Sequence, residues 1–197
     1  MTDNKEALRA AVNARRSTRK YKADPVPKEL LTEVVEAGRM APSGNNSQSV
    51  HFIVITQPEH LAQLREAVTK TLANTPVQEG MPPPMVGLIN KAKQETVDVN
   101  YGAPALIITA NKKGYDNAVA DCSCAMQNMM LMAGACGLGN CWINLYHRLR
   151  QAPPLRSLME KLGLGEDEEV FGALVLGYTD NLETTPLPRK GNPVTYV

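Results

Sequence analysis

The chain of 197 residues has no charge of either sign to spare: 21 Lys and Arg stand against 20 Asp and Glu, a formal net charge of +1. A sequence-independent grip on nucleic-acid phosphates needs a basic excess over a whole face, so the balance argues against that class of partner. No apolar run approaches the roughly 20 residues that span a bilayer. The first residues, MTDNKEALRAAV, are charged and lack the apolar stretch of a signal peptide. No membrane partner is expected, and the expected compartment is the cytoplasm.

The usual catalytic sets are missing too. His51, His60 and His147 sit in no G-x-S-x-G, H-E-x-x-H or Cys/His context, and there is no P-loop. His51 is expected to point off a strand and be satisfied locally. Cys122, Cys124, Cys136 and Cys141 match no zinc-ribbon or thioredoxin spacing. On a helix Cys122 and Cys124 are turned apart by about 200°, so the four read as small buried thiols and no metal is expected. GACGLGN, 134–140, follows a helix and precedes a strand, the reverse of the dinucleotide-binding order, and reads as a helix C-cap turn. There is no internal repeat or low-complexity tract.

What the sequence does contain is alternation of helix and strand. Residues 3–14 read as a helix opened by Thr2 or Asp3, and RRSTRKY, 15–21, follows directly. DPVPKELLTEVVEAGRMAPS reads as a second helix, with Pro27 in its first turn and Pro42 ending it. VHFIVIT, YGAPALIITANK, GLGNCWINLY and EEVFGALVLGY read as four strands, the third running through Tyr146. Helices are expected over 58–74, near 86–97, over 116–136 and over 153–164. The 116–136 helix is Ala- and Met-rich with few charges, so it belongs at the centre of the fold or of a subunit interface. Its methionines read as adaptable packing. TPVQEGMPPPMVG, 75–87, reads as a long loop or lid. The C-terminal PVTYV can add an edge strand to this sheet or to a partner's. One sheet covered by helices on both faces follows, with 1–197 as one domain.

Four polar segments remain at the edges of these elements: RRSTRKY, APSGNNSQSVHF, GLGNCWINLY and LPRK. Together they hold what a bound flavin mononucleotide (FMN) needs: Arg and Lys for the phosphate, small hydroxyl and amide groups for the ribityl chain, and donors with a positive charge for the ring. In this order, and with DCSCAMQNMMLMAGACGLGNCWI between them, the set resembles the FMN-dependent nitroreductase family over essentially the whole chain.

The resemblance implies an α+β, three-layer α/β/α fold with a mixed central sheet, and a homodimer of domain-swapped style with two FMN molecules in its interface. Arg15, Arg16, Ser17 and Arg19 form the N-terminal set. Arg15 would hold the phosphate, Ser17 the phosphate or ribityl chain, and Arg19 the pyrimidine edge; Arg16, like Lys20, has the alternative of a solvated turn residue. The partner subunit would supply Pro42, Ser43, Gly44 and Asn46. Arg189 and Lys190 would close on the phosphate, and the backbone of Ile143, Asn144 and Leu145 would lie against the ring, an amide reaching N5. The family's ring-contacting Asn has two candidates, Asn90 and Asn100. Gln48-Ser49-Val50 and Asn144-Leu145 depart from the commoner Gln-Pro-Trp and Glu-Gly.

The implied activity is ping-pong reduction of nitroaromatics, quinones or similar electron-poor acceptors by NADH or NADPH, with no catalytic residue beyond the flavin. The 76–90 segment would shape the acceptor pocket. A flavin-binding module without turnover, and a same-fold enzyme of different flavin chemistry such as a dehydrogenase or dehalogenase, stand as alternatives.

Overall fold

Strand β2 (Ala105–Lys112) points Leu106, Ile108 and Ala110 to one side and Ala105 and Ile107 to the other, and all five are fully buried. A strand without a solvated face needs cover on both sides. The computed structural model describes residues 4–182, 185, 186, 188, 189 and 191–197, and supplies that cover as two separate cores.

Four strands form the sheet: β1 (His51–Ile55), β2, β3 (Gly139–Trp142) and β4 (Glu168–Gly177), in the order β1-β2-β4-β3. Every pairing among the described residues is antiparallel, where a mixed sheet was expected. Helix–strand alternation does not dictate direction: β2 and β4, separated by three helices and β3, still pair antiparallel because the chain re-enters the sheet from the opposite end.

On one face lie α1 (Asn4–Ala14), α2 (Lys28–Arg39) and α5 (Ala118–Ala135). Leu31 and Val34 of α2 and Met126, Met129, Met130 and Ala133 of α5 pack there with Ala105, Ile107, Leu174 and Leu176. Three of the four methionines expected to pack are in that core, and Met132 is packed against it. Gly38 lets α2 approach closely, since a Cβ there would fall 2.8 Å from Met129 Cγ. The other face carries α3 (Pro58–Ala73), α4 (Pro83–Ala92), the short α6 (Leu145–Arg148) and α7 (Pro153–Lys161). Leu64, Val68, Leu72, Ile89, Leu155 and Met159 cover Ile53, Ile55, Leu106, Ile108 and Val175.

Three expectations are corrected. The third strand ends at Trp142; the chain then turns into α6, a single turn too short to carry a helical period in its sequence. The proposed lid is irregular only over 75–82, because Pro83 and Pro84 occupy the first turn of α4, where a missing N–H costs nothing. PVTYV takes no part in this chain's own sheet, and Val194 and Tyr196 are exposed.

Truncating Ile107 to Ala empties a site buried on both cores' shared strand and is expected to cost about 2–5 kcal/mol. Val77→Ala on the exposed loop should stay within about 0.5 kcal/mol. Urea unfolding of the two variants measures the contrast, and equal losses would refute the placement of β2.

Candidate functional site

The free edge of β3 is where the basic segment lies. The Thr18 amide donates to Asn140 O at 2.8 Å and the Lys22 amide to Tyr178 O at 2.8 Å, so residues 15–22 run along β3 and past the end of β4. Gly139 permits this approach: a Cβ there would sit 2.8 Å from Thr18 Cγ2 and 2.9 Å from Thr179 Cγ2.

Three of the four candidate side chains in the segment act electrostatically on the thiol of Cys141 in β3. Burial pushes the Cys141 thiol above its ordinary value, while Arg19, a hydrogen bond from Ser17, and Arg15 pull it back down. Tyr21 packs against the core on the α3 side; its hydroxyl donates to Thr18 O at 2.7 Å, and burial, with Cys141 and Tyr101 nearby, raises its pKa.

Arg16 does something else. Its guanidinium donates to Asn13 O and Arg15 O, both at 2.7 Å, and to Thr185 O. It therefore caps the end of α1 and ties down the C-terminal segment, which neither solvation nor phosphate binding anticipates. With Leu182 and Pro186, that segment walls a cavity of about 640 Å³ also lined by Arg15, Arg16 and Asn140. Arg189, exposed, follows Pro186 by three residues, a reach of about 10 Å. Lys190 lies outside the described residues.

Past β3, the Ile143 amide donates to Ala173 O at 2.7 Å and Ile143 is buried. Asn144 is exposed and caps α6, whose first amides have no acceptor within the helix. Of the two Asn candidates, Asn90 is exposed on α4. Asn100 is buried, and its Oδ1 accepts the hydroxyl of the fully buried Tyr146 at 3.0 Å.

The other expected half of the site is the 42–48 loop, and it is fastened to the start of α5. The Gly44 amide donates to Asp121 Oδ1 at 3.0 Å, Ser47 Oγ to Asp121 Oδ2 at 3.4 Å, and Tyr115 Oη to Gly44 O at 3.1 Å. Asn45, Asn46 and Gln48 all have φ near +50°, a region that asparagine enters more readily than most residues. Pro42 and Ser43 line a neighbouring cleft of about 140 Å³ with Asp121.

These two halves do not meet within one chain. The loop is held at the N-terminal end of α5, while Arg15, Ser17 and Arg19 gather on β3 just beyond its C-terminal end. Asp121 and the Met130–Ala135 stretch that lines the cavity beside Arg15 are separated by about 14–21 Å along the axis of α5. Cys141, Asp121, Tyr115 and Tyr146 were not picked out from the sequence. Asp121 carried a readable signal, as the sole charged residue of α5.

Outside this region His51 Nδ1 lies 2.8 Å from Glu168 Oε2, so its partner comes from β4 rather than from its own neighbourhood. All four cysteines are free; Cys122 is buried, its thiol pushed up to about 12 by burial, and Cys124 on the opposite side is exposed. Among the described residues no helix is long and apolar enough to cross a membrane.

A family model described as the nitroreductase family matches residues 12–178. A nitroreductase of Bacteroides fragilis, crystallised with bound FMN, is 31% identical, and the alignment covers 98% of each chain at a TM-score of 0.83. A nitroreductase of Desulfitobacterium hafniense, also with bound FMN, is 26% identical over 100% of each chain at a TM-score of 0.80. A curated relative from Archaeoglobus fulgidus is 30% identical over 173 residues, 85% of this chain and 82% of its own. It bears, in provisional form, the name NADH dehydrogenase/NAD(P)H nitroreductase.

Proposed function

The chain belongs to the nitroreductase family, and on that premise we propose that it is a homodimeric FMN-dependent NAD(P)H oxidoreductase acting on electron-poor acceptors such as nitroaromatics and quinones. The observation that carries the dimer is the separation along α5. If a second copy runs its α5 antiparallel to the first, the loop of each chain comes to the basic segment of the other, and two complete sites form.

The chain's own residues fit the cofactor. Arg15 and Ser17 offer a charge-assisted pair for a phosphate, and Gly139 lets the segment that carries them lie close against β3. Arg189 follows the segment that Arg16 ties down and would close on the phosphate from the C-terminal side, with Lys190 next to it in the sequence. When bound, FMN supplies the hydride chemistry between NAD(P)H and the acceptor.

Everything else is the protein's work of holding and orienting. Arg19 places a positive charge at the ring's pyrimidine end, which favours negative charge there. The Ile143 amide is spent on Ala173, so the donor toward the ring comes from Asn144 or Leu145. Pro42, Ser43, Gly44 and Asn46 of the partner subunit enclose the other side. One face serves nicotinamide and acceptor in turn, which makes the kinetics ping-pong, and 75–82 with α4 shapes the acceptor's entry.

The dimer reading gives the outward face of α5 a purpose. Ala120, Cys124, Gln127 and Gly134 are exposed and Leu131 half-buried along it. Antiparallel pairing about Gln127 sets Ala120 against Gly134 of the second copy, small against small. The outer edge of β1 has no strand neighbour among the described residues. Beside it, a groove of about 400 Å³ lined by Val26, Leu31, Val35 and Val54 is suited to Val194 and Tyr196 of a partner's C-terminal strand. The whole chain acts as one domain, and its four free thiols suit the reducing cytoplasm.

Purified protein is expected to be yellow, to bleach anaerobically with NADH or NADPH, and to recover on addition of a nitroaromatic or quinone. Bound FMN that no nicotinamide bleaches would leave only a flavin-binding module. Arg15→Ala should weaken FMN binding by about 1.5–3 kcal/mol, read by fluorescence titration, with the dimer intact; unchanged affinity removes Arg15 from the phosphate. Leu131→Glu should yield monomers by light scattering that no longer retain FMN. A dimer that persists with that charge on α5 contradicts the helix pairing.

A further inference from the structure

Asp121 is buried, carries the sole charge of α5, and spends both carboxylate oxygens on the 42–48 loop. We propose that Asp121 is a positioning residue for a flavin it does not touch, setting the loop that encloses the flavin held by the partner's Arg15 and Ser17. The inference rests on the dimeric FMN reading above and adds a residue and a direction to it: the effect of Asp121 is felt in the site of the opposite chain.

The loop needs such a hold. Asn45, Asn46 and Gln48 occupy left-handed backbone conformations, φ 52°, 53° and 50°. This region is disfavoured for residues other than glycine, less so for asparagine than for glutamine. A free seven-residue loop would spend most of its time elsewhere, and a flavin would have to select the competent fraction, losing affinity in proportion. Asp121 supplies the counterweight through the Gly44 amide at 3.0 Å and the Ser47 hydroxyl at 3.4 Å. Tyr115 adds its hydroxyl to Gly44 O at 3.1 Å and lies 3.3 Å from Ser47 Oγ.

Sterics press the same contact. A Cβ on Gly44 would fall 2.3 Å from Asn117 Nδ2 and 2.6 Å from Tyr115 Oη, so glycine alone lets the loop seat on the helix start. The loop is thereby registered to α5, and α5 to the second copy.

The test is intersubunit complementation. Asp121→Asn keeps the shape and gives up one acceptor oxygen, and it is expected to raise the Kd for FMN about ten-fold or more. Arg15→Ala homodimers are weakened as well. A heterodimer carrying Arg15→Ala in one chain and Asp121→Asn in the other, purified through two different tags, concentrates both defects in one site. It should bind one FMN per dimer at the parental affinity. Two equally weakened sites and none at parental affinity would show that Asp121 serves its own chain's flavin and overturn the proposal, as would an unchanged Kd in the Asp121→Asn homodimer. Should that variant not fold, Ser47→Ala removes the loop's side of the contact and enters the same heterodimer with the same two outcomes. A parent protein that binds no FMN at all sinks the functional reading itself, and this inference with it.

Discussion

Cys122, Ala125, Met126, Met129, Met130 and Ala133 fix α5 against the sheet, and the rest of the candidate site is placed by that contact. The helix holds its buried side with small and flexible residues, so the sheet and α2 come close, and Gly38 marks where the approach is tightest. At one end the helix receives the 42–48 loop through Asp121. At the other it delivers the chain through Gly137, with φ 74°, into β3, along which the basic segment lies. One rigid helix therefore sets the distance between the two kinds of chemistry the chain offers.

The sheet contributes by keeping its two faces apart. Cys141 and Ile143 turn toward the α3 side, and Trp142 packs on the α5 side. The period of two in β3 thus buries the Cys141 thiol on one side, while Asn140 on the other gives its amide to Met130 O at 3.1 Å. A slip of one residue in β3 would exchange these environments.

Much of this was legible in the sequence because it was repetitive. The apolar stripe of α2, the continuous apolar run of β2 and the long apolar stretch of α5 each extend over several residues, and all four strands overlap the hydrophobic runs. The polar segments were legible as an ordered set. What escaped was local or long-range. A single turn at 145–148 carries no period, three prolines at 82–84 read as a loop although two of them start α4, and strand direction has no periodic signature. Arg16 could not be assigned from spacing, because its partner Thr185 is 169 residues away. Asp121 was visible as a lone charge, but its role depends on a loop 77 residues earlier in the chain.

The uncovered side of β1 has a consequence for how the protein must be handled. An edge strand presents a row of unpaired backbone donors and acceptors that will accept any extended peptide, and here it borders an apolar groove containing Val54, which is 42% exposed. A second copy covering that edge, as in the dimer proposed above, would make folding stability a function of concentration. Dilution would then expose a template for disordered aggregation. A chain built this way is safest when it is made quickly and in quantity.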